Sequence, residues 1–217
     1  MTPYAETIQT SPDVAFKPGD HLRVARKFKG WVPYAHHAIY VGDGEVVQFG
    51  GEIRDKPNAR IGCASVEEFQ DGATAELVPH GRYEVVHWLP KADPPDKIVE
   101  RARWLADRAS RSPSQPYNLI GNNCEHIANW CVCGYTESHQ FKRALMAVAY
   151  AKGVLFLYVS WRVRQGTASR GLVVGALLPN VLSGWAIHVY NREIKRFWEG
   201  IRRDWPAHER ALSEDDR

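Results

Sequence analysis

Cysteine is scarce in this chain: Cys63, Cys124, Cys131 and Cys133 are all there are in 217 residues. Met1–Val14 lacks the basic start and apolar stretch of a secretory signal and reads as an N-terminal tail (residues 1–14). Four cysteines could make two disulfides, but no secretory signal accompanies them and Cys131-Val132-Cys133 is poorly spaced to bridge itself, so a reducing, intracellular compartment is expected. The same C-x-C lacks the spacer of a zinc site, and no second ligand pair accompanies His126, Cys131 and Cys133, so neither a metal nor another cofactor is expected. No nucleic-acid-binding module is recognisable either, although the net charge is +3. Wholesale disorder is excluded by an apolar share of 44% and eight tryptophans, enough for one globular domain and an appendage.

What the chain does have is the stretch Tyr117–Gly134, Y-N-L-I-G-N-N-C-E-H-I-A-N-W-C-V-C-G. Asn122 and Asn123 are strong N-cap residues, so a helix is expected to begin at Cys124 and to stop at Gly134. Cys124, Ile127, Ala128 and Cys131 fall at helical spacing and form one apolar face. A thiol in a first helical turn sits in the positive field of unpaired backbone N–H groups, which favours the thiolate. Glu125 opposes that unless its side chain points away. An Asn-Cys pair by itself more often marks a buried structural cysteine.

The second informative stretch is Y-A-H-H-A-I-Y-V-G-D-G-E-V-V-Q-F-G-G, Tyr34–Gly51, two β-rich runs around Gly42-Asp43-Gly44. A three-residue loop with Gly44 left-handed predicts a hairpin pairing Val41 with Glu45 and Ala38 with Gln48. His36 and Gln48 are then diagonal neighbours on one side, and His37 points to the other. A histidine with a carboxamide to orient it is the base-plus-orienter pair a cysteine nucleophile requires.

Together the hairpin and the N-N-C-E-H segment resemble the lecithin:retinol acyltransferase (LRAT) family with its phospholipase and acyltransferase relatives, from about Lys17 in F-K-P-G-D-H-L to about Gly134. The resemblance implies an α+β fold, a circularly permuted papain-like domain related to NlpC-type peptidases, with a small antiparallel sheet packed on a nucleophile helix. It also implies roles: Cys124 as nucleophile, His36 as general base, Gln48 as orienting third residue and Tyr34 as a group near the oxyanion. The family's animal members usually have a second histidine where this chain has Gln48, and N-C-E-H-F is N-C-E-H-I here.

The rest of the pattern completes an LRAT-like domain over residues 15–135. Leu22 and Val24 alternate in a first strand, Ser65 and Glu68 make a capping box on a short helix, and Gly50–Arg60 is a substrate-side loop. Leu77-Val78 and Tyr83–Trp88 are expected to complete the sheet, with His80 and His87 structural or on the surface. Asp93-Pro94-Pro95-Asp96 opens a helix to about Ala109, apolar at Ile98, Ala102, Leu105 and Ala109, with its arginines on the wet face.

Composition changes after Gly134. Ala144–Trp161 is an apolar run broken only by Lys152, and Gly171–Ile187 is an uncharged run interrupted by Pro179-Asn180. Both are at the short end for a bilayer span, which leaves either core-packed helices or a membrane-seated hairpin. Residues 142–217 carry 13 basic and 7 acidic side chains, net +6, leaving −3 for the remainder. With Trp161, Trp185, Tyr190, Trp198 and Trp205 among them, residues 136–206 are expected to be helical and membrane-associated on the cytoplasmic face, followed by a polar tail, 207–217.

The activity expected is thiol-dependent acyl transfer from, or phospholipase A hydrolysis of, a glycerophospholipid ester, through a cysteine thioester. Two rival readings are an NlpC-type cysteine amidase or peptidase and a catalytically silent membrane adaptor.

Overall fold

The computed structural model describes residues 15–28, 32–50, 59–80, 83–84, 87–88, 91–111, 117, 121–136, 138–169, 171–173 and 192–210. Both tails in large part, most of the Gly50–Arg60 loop and most of the second apolar run lie outside the described residues. The chain divides into two compact units, residues 1–140 and 141–217.

The first unit is built on a five-stranded antiparallel sheet of β1 (His21–Phe28), β2 (Val32–Gly42), β3 (Glu45–Gly50), β4 (Arg60–Ser65) and β5 (Ala75–Leu77), in the order β4-β3-β2-β1-β5. Leu22, Val24, Ala38 and Val46 alternate along their strands and bury one face against Phe69 and Ala75. Phe69 belongs to the single-turn helix α1 (Val66–Gln70), whose N-cap Ser65 accepts the Glu68 N–H at 3.0 Å. Ile39, Val47, Phe49 and Ile61, of opposite parity, are also buried. Tyr83–Glu84 (β6) and His87–Trp88 (β7) pair with each other as a separate ribbon and do not extend the sheet, contrary to the expectation from their β-rich composition.

The β2–β3 hairpin differs instructively from the loop expected. Its loop has two residues, Asp43 (φ 53°) and Gly44 (φ 76°), both left-handed as a primed turn needs, and Gly42 pairs with Glu45 where Val41 was expected to. A register shift between Tyr40 and Gly42 then leaves Val41 as the extra residue of a bulge. The bulge returns the pairing to Tyr40 with Val46 and Ala38 with Gln48. The shorter loop and the bulge, which lies at Val41 and not at Gly44 as a G1 bulge, offset each other, so His36 and Gln48 still share a side.

Two helices complete the unit: α2 (Pro95–Ser110), which packs against β4 and β2, and α3 (Cys124–Cys133), which packs against β2, β3 and α2. The spacing of Ile98, Ala102, Leu105 and Ala109 buries them as expected, but Arg101 is buried with them. Its guanidinium pairs with Asp93 (Nη1 to Oδ2, 2.6 Å) and donates to the Cys131 carbonyl (3.2 Å), so one cation holds the start of α2 to the C-terminal turn of α3. Asp93 N–H adds a bond to the Val132 carbonyl at 2.9 Å. Trp104 and Trp130 pack between the two helices with ring centroids 5.9 Å apart.

In the second unit, α4 (His139–Arg164), which starts two residues before the unit does, is exposed along most of its length, including Tyr150, Phe156 and Leu157. Among the described residues no helix is long and apolar enough to cross a membrane. A further helix spans residues 192–210 and buries Ile194, Trp198, Ile201 and Trp205, a stripe at helical spacing.

Candidate active site

α3 begins at Cys124 because Asn123 caps it. Asn123 is extended (φ −112°, ψ 178°), and its Oδ1 accepts from the backbone N–H groups of Glu125 (3.0 Å) and His126 (3.1 Å). His126 Nδ1 accepts the Asn123 N–H in return at 3.4 Å, closing a capping box. The cap takes up the N–H groups of the second and third helical residues; that of Cys124, the first, is not one of them. At the other end Gly134 (φ 73°) donates to the Trp130 carbonyl at 2.9 Å. The helix is buried all round from Cys124 to Val132, not on one face only, so its polar residues need internal partners.

The Cys124 sulfur lies 4.0 Å from the carbonyl oxygen of Ala35, the residue before His36 on β2. His36 is paired across the sheet with Val24, and its Nε2 is 2.6 Å from Gln48 Oε1. An amide oxygen only accepts, so Nε2 carries the hydrogen and the basic lone pair of the imidazole is on Nδ1. The Phe69 ring, 5.5 Å from the imidazole, bounds it on another side. Arg26 anchors that helical turn by donating to the carbonyls of Phe69 (2.8 Å) and Gln70 (3.0 Å).

Gly50 makes room for the pair. A Cβ there stands 3.1 Å from both Cδ and Nε2 of Gln48, closer than a comfortable contact, whereas glycine lets the carboxamide lie over the backbone.

Tyr34 and Tyr117 complete the surroundings of the thiol. Burial raises the Tyr34 phenol above its ordinary pKa, the Cys124 charge raises it further and Arg26 pulls it back. Burial, then Cys124 and Tyr34, raise Tyr117 far more. Both phenols therefore remain protonated donors near neutral pH. Tyr117 packs edge-on against Phe49 at 4.9 Å. Tyr34 was expected here from the sequence. Tyr117, Phe69 and Arg26 were not, since no periodicity links them to Cys124 or His36.

Three further histidines form a group of their own. His37 Nδ1 faces His21 Nε2 at 2.9 Å, and His21 Nδ1 faces His80 Nε2 at 2.9 Å, a chain of rings sharing protons. Burial lowers the His21 pKa well below the usual imidazole value, with the neighbouring His37, His80 and Arg23 lowering it further. Burial likewise pushes the Cys131 thiol up to about 12, which leaves it unreactive. Among the described residues no three His, Cys, Asp or Glu side chains are grouped to hold a metal ion.

The family model for lecithin retinol acyltransferase matches residues 14–137. The chain is 29% identical over 152 residues to the human protein named phospholipase A and acyltransferase 2, covering 63% of this chain and 83% of that one. It is 33% identical over 147 residues to mouse phospholipase A and acyltransferase 3, with 62% and 82% covered. To human phospholipase A and acyltransferase 4 it is 24% identical over 164 residues, with 69% and 90% covered.

Proposed function

The chain belongs to the lecithin retinol acyltransferase family, and from that membership we propose that it is a thiol-dependent lipid acyltransferase or phospholipase A acting on glycerophospholipid esters. The observation that carries the reading is the 2.6 Å bond from His36 Nε2 to Gln48 Oε1, which directs the imidazole's basic nitrogen, together with a thiol at the first residue of a capped helix. Names of the relatives, phospholipase A and acyltransferase, supply the substrate class. The arrangement is read as a permuted papain-like site, with the histidine strand before the cysteine helix in the chain.

In this reading His36 Nδ1 takes the Cys124 proton, and the thiolate attacks the ester carbonyl carbon. The Cys124 N–H and the Tyr34 phenol stabilise the oxyanion that forms. Collapse expels the lysophospholipid alkoxide, which takes the proton from His36, and leaves an acyl thioester on Cys124. Water, an amine or an alcohol then gives its proton to His36 and attacks the thioester, releasing the fatty acid or the transferred acyl product and restoring the thiol. Gln48 transfers no proton; it holds the ring.

A lipid substrate is reached at a surface, and α4 has the features to seat there as a peripheral helix on the cytoplasmic face of a membrane. Tyr150, Phe156, Leu157 and Trp161 are exposed along it, and no acidic residue occurs between Glu137 and Glu193.

The test is brief incubation with mixed glycerophospholipids followed by intact-mass analysis. An acyl adduct is expected on Cys124, labile to hydroxylamine, absent in Cys124→Ala, strongly reduced in His36→Ala and slowed in Gln48→Ala. Cleavage of a peptide amide without lipid turnover establishes the peptidase reading instead. No reaction with either substrate, together with a Cys124 that titrates like an ordinary cysteine, favours the adaptor reading.

A further inference from the structure

Glu125, next to the nucleophile, is a buried carboxylate in the first turn of α3. Left to itself, such a charge is drawn to the same helix N-terminus that favours the thiolate, and it disfavours that thiolate by repulsion. The structure gives it another partner. Ser138, also buried and the last residue before α4, donates its hydroxyl to Glu125 Oε2 at 2.6 Å, the length of an O–H bond to an ionised carboxylate. The same Ser138 oxygen receives Asn123 Nδ2 at 3.3 Å.

The directions of these bonds are determined by chemistry. A hydroxyl has one hydrogen, and here it is spent on Glu125, so toward Asn123 the oxygen only accepts. That turns the amide nitrogen of Asn123 to Ser138 and its carbonyl oxygen to the N–H groups of Glu125 and His126, the orientation a cap requires.

We propose that Ser138 is a positioning residue for Cys124: its hydroxyl tethers the Glu125 carboxylate away from the thiol and, through the same oxygen, keeps the Asn123 cap turned toward the helix. The role rests on the thiol-enzyme reading above and deepens it. Without the hydroxyl, the buried carboxylate beside the thiol loses its 2.6 Å bond and the Asn123 amide loses the acceptor that orients it, so the charge is held less firmly next to the thiolate and the cap less firmly toward the helix.

The test compares the pH dependence of Cys124 alkylation by iodoacetamide and the rate of acyl-adduct formation in the full chain and its variants. His36, Tyr34, Tyr117 and Arg26 are common to all of them, so differences between variants isolate the tether. Ser138→Ala is expected to raise the alkylation inflection by about one pH unit and to slow adduct formation about tenfold near neutral pH. Ser138→Thr, which keeps the hydroxyl, restores both. In an E125Q background the charge is gone, and Ser138→Ala no longer moves the inflection. An unshifted inflection in folded Ser138→Ala overturns the proposal, as does a shift of equal size in the E125Q background. If Ser138→Ala fails to fold, folding of the double variant supports the tether, and failure of both overturns it in favour of a packing role. A wild-type chain whose Cys124 alkylates like an ordinary cysteine and takes no acyl group refutes the enzyme reading itself. Acylation in wild type matched by Ser138→Ala refutes only the role of Ser138.

Discussion

Gly50→Ala separates stability from catalysis at one backbone position. Gly50 is paired with Arg60 in the β3–β4 ladder and is not among the residues with positive φ, so alanine meets no conformational penalty. Glycine within a strand costs about 0.5–1 kcal/mol relative to alanine, so the strand itself gains from the change. The added methyl, however, lies 3.1 Å from Cδ and Nε2 of Gln48, which must move by a few tenths of an ångström. That movement acts directly on the 2.6 Å bond to His36. A hydrogen bond of this kind contributes about 0.5–1.5 kcal/mol, so losing most of it corresponds to a rate reduced by roughly three- to tenfold. Single-turnover formation of the Cys124 acyl adduct, followed by intact mass, reads the rate, and thermal unfolding reads the stability. Stability is expected to change by less than about 1 kcal/mol while the rate falls. In a Gln48→Ala background, where there is no carboxamide to displace, Gly50→Ala is expected to have no further effect on the rate. An undiminished rate in the single variant, or an equal loss with and without Gln48, refutes the reasoning.

Three further expectations follow from the same structure. The folded-state pKa of His21 is lowered, so the unfolded chain binds its proton first and stability falls as pH drops below the ordinary value of about 6.5. The slope reaches about 1.4 kcal/mol per pH unit for one such proton, and urea titrations between pH 7.5 and 5 should show it reduced in His21→Asn. Arg101→Met removes the cation that joins Asp93 to the Cys131 carbonyl and should destabilise the chain by about 3 kcal/mol in denaturant unfolding, whereas a loss under about 0.5 kcal/mol refutes the clamp. Replacing exposed Tyr150, Phe156 and Leu157 with glutamate should abolish sedimentation with anionic phospholipid vesicles and leave the melting temperature unchanged; undiminished sedimentation refutes α4 as the membrane contact.

Features governed by neighbours a few positions apart were legible in the sequence. Asn123 and Gly134 bound α3, Ser65 caps α1, and the alternation of Leu22 and Val24 marks β1, because caps and strand parity are local interactions. The proximity of His36 and Gln48 was legible for a partly fortuitous reason. The hairpin register has the expected parity only because the bulge at Val41 offsets the shorter loop.

What tertiary structure alone decided are the partners of residues distant in the chain. Arginine at a helical position is ordinarily solvated, and nothing near Arg101 in sequence indicates that the Cys131 carbonyl, 30 residues on, will bury it. His21 and His80, 59 residues apart, meet only because β5 pairs beside β1 and carries the following segment with it. The destination of the Glu125 charge likewise depended on Ser138, 13 residues away, beyond the reach of any helical or strand periodicity. Local preferences placed the thiol at the start of a helix and the imidazole on a strand. Which groups hold their orientation and charge was left to the packing, because a buried polar atom takes whichever partner the fold brings within hydrogen-bonding distance.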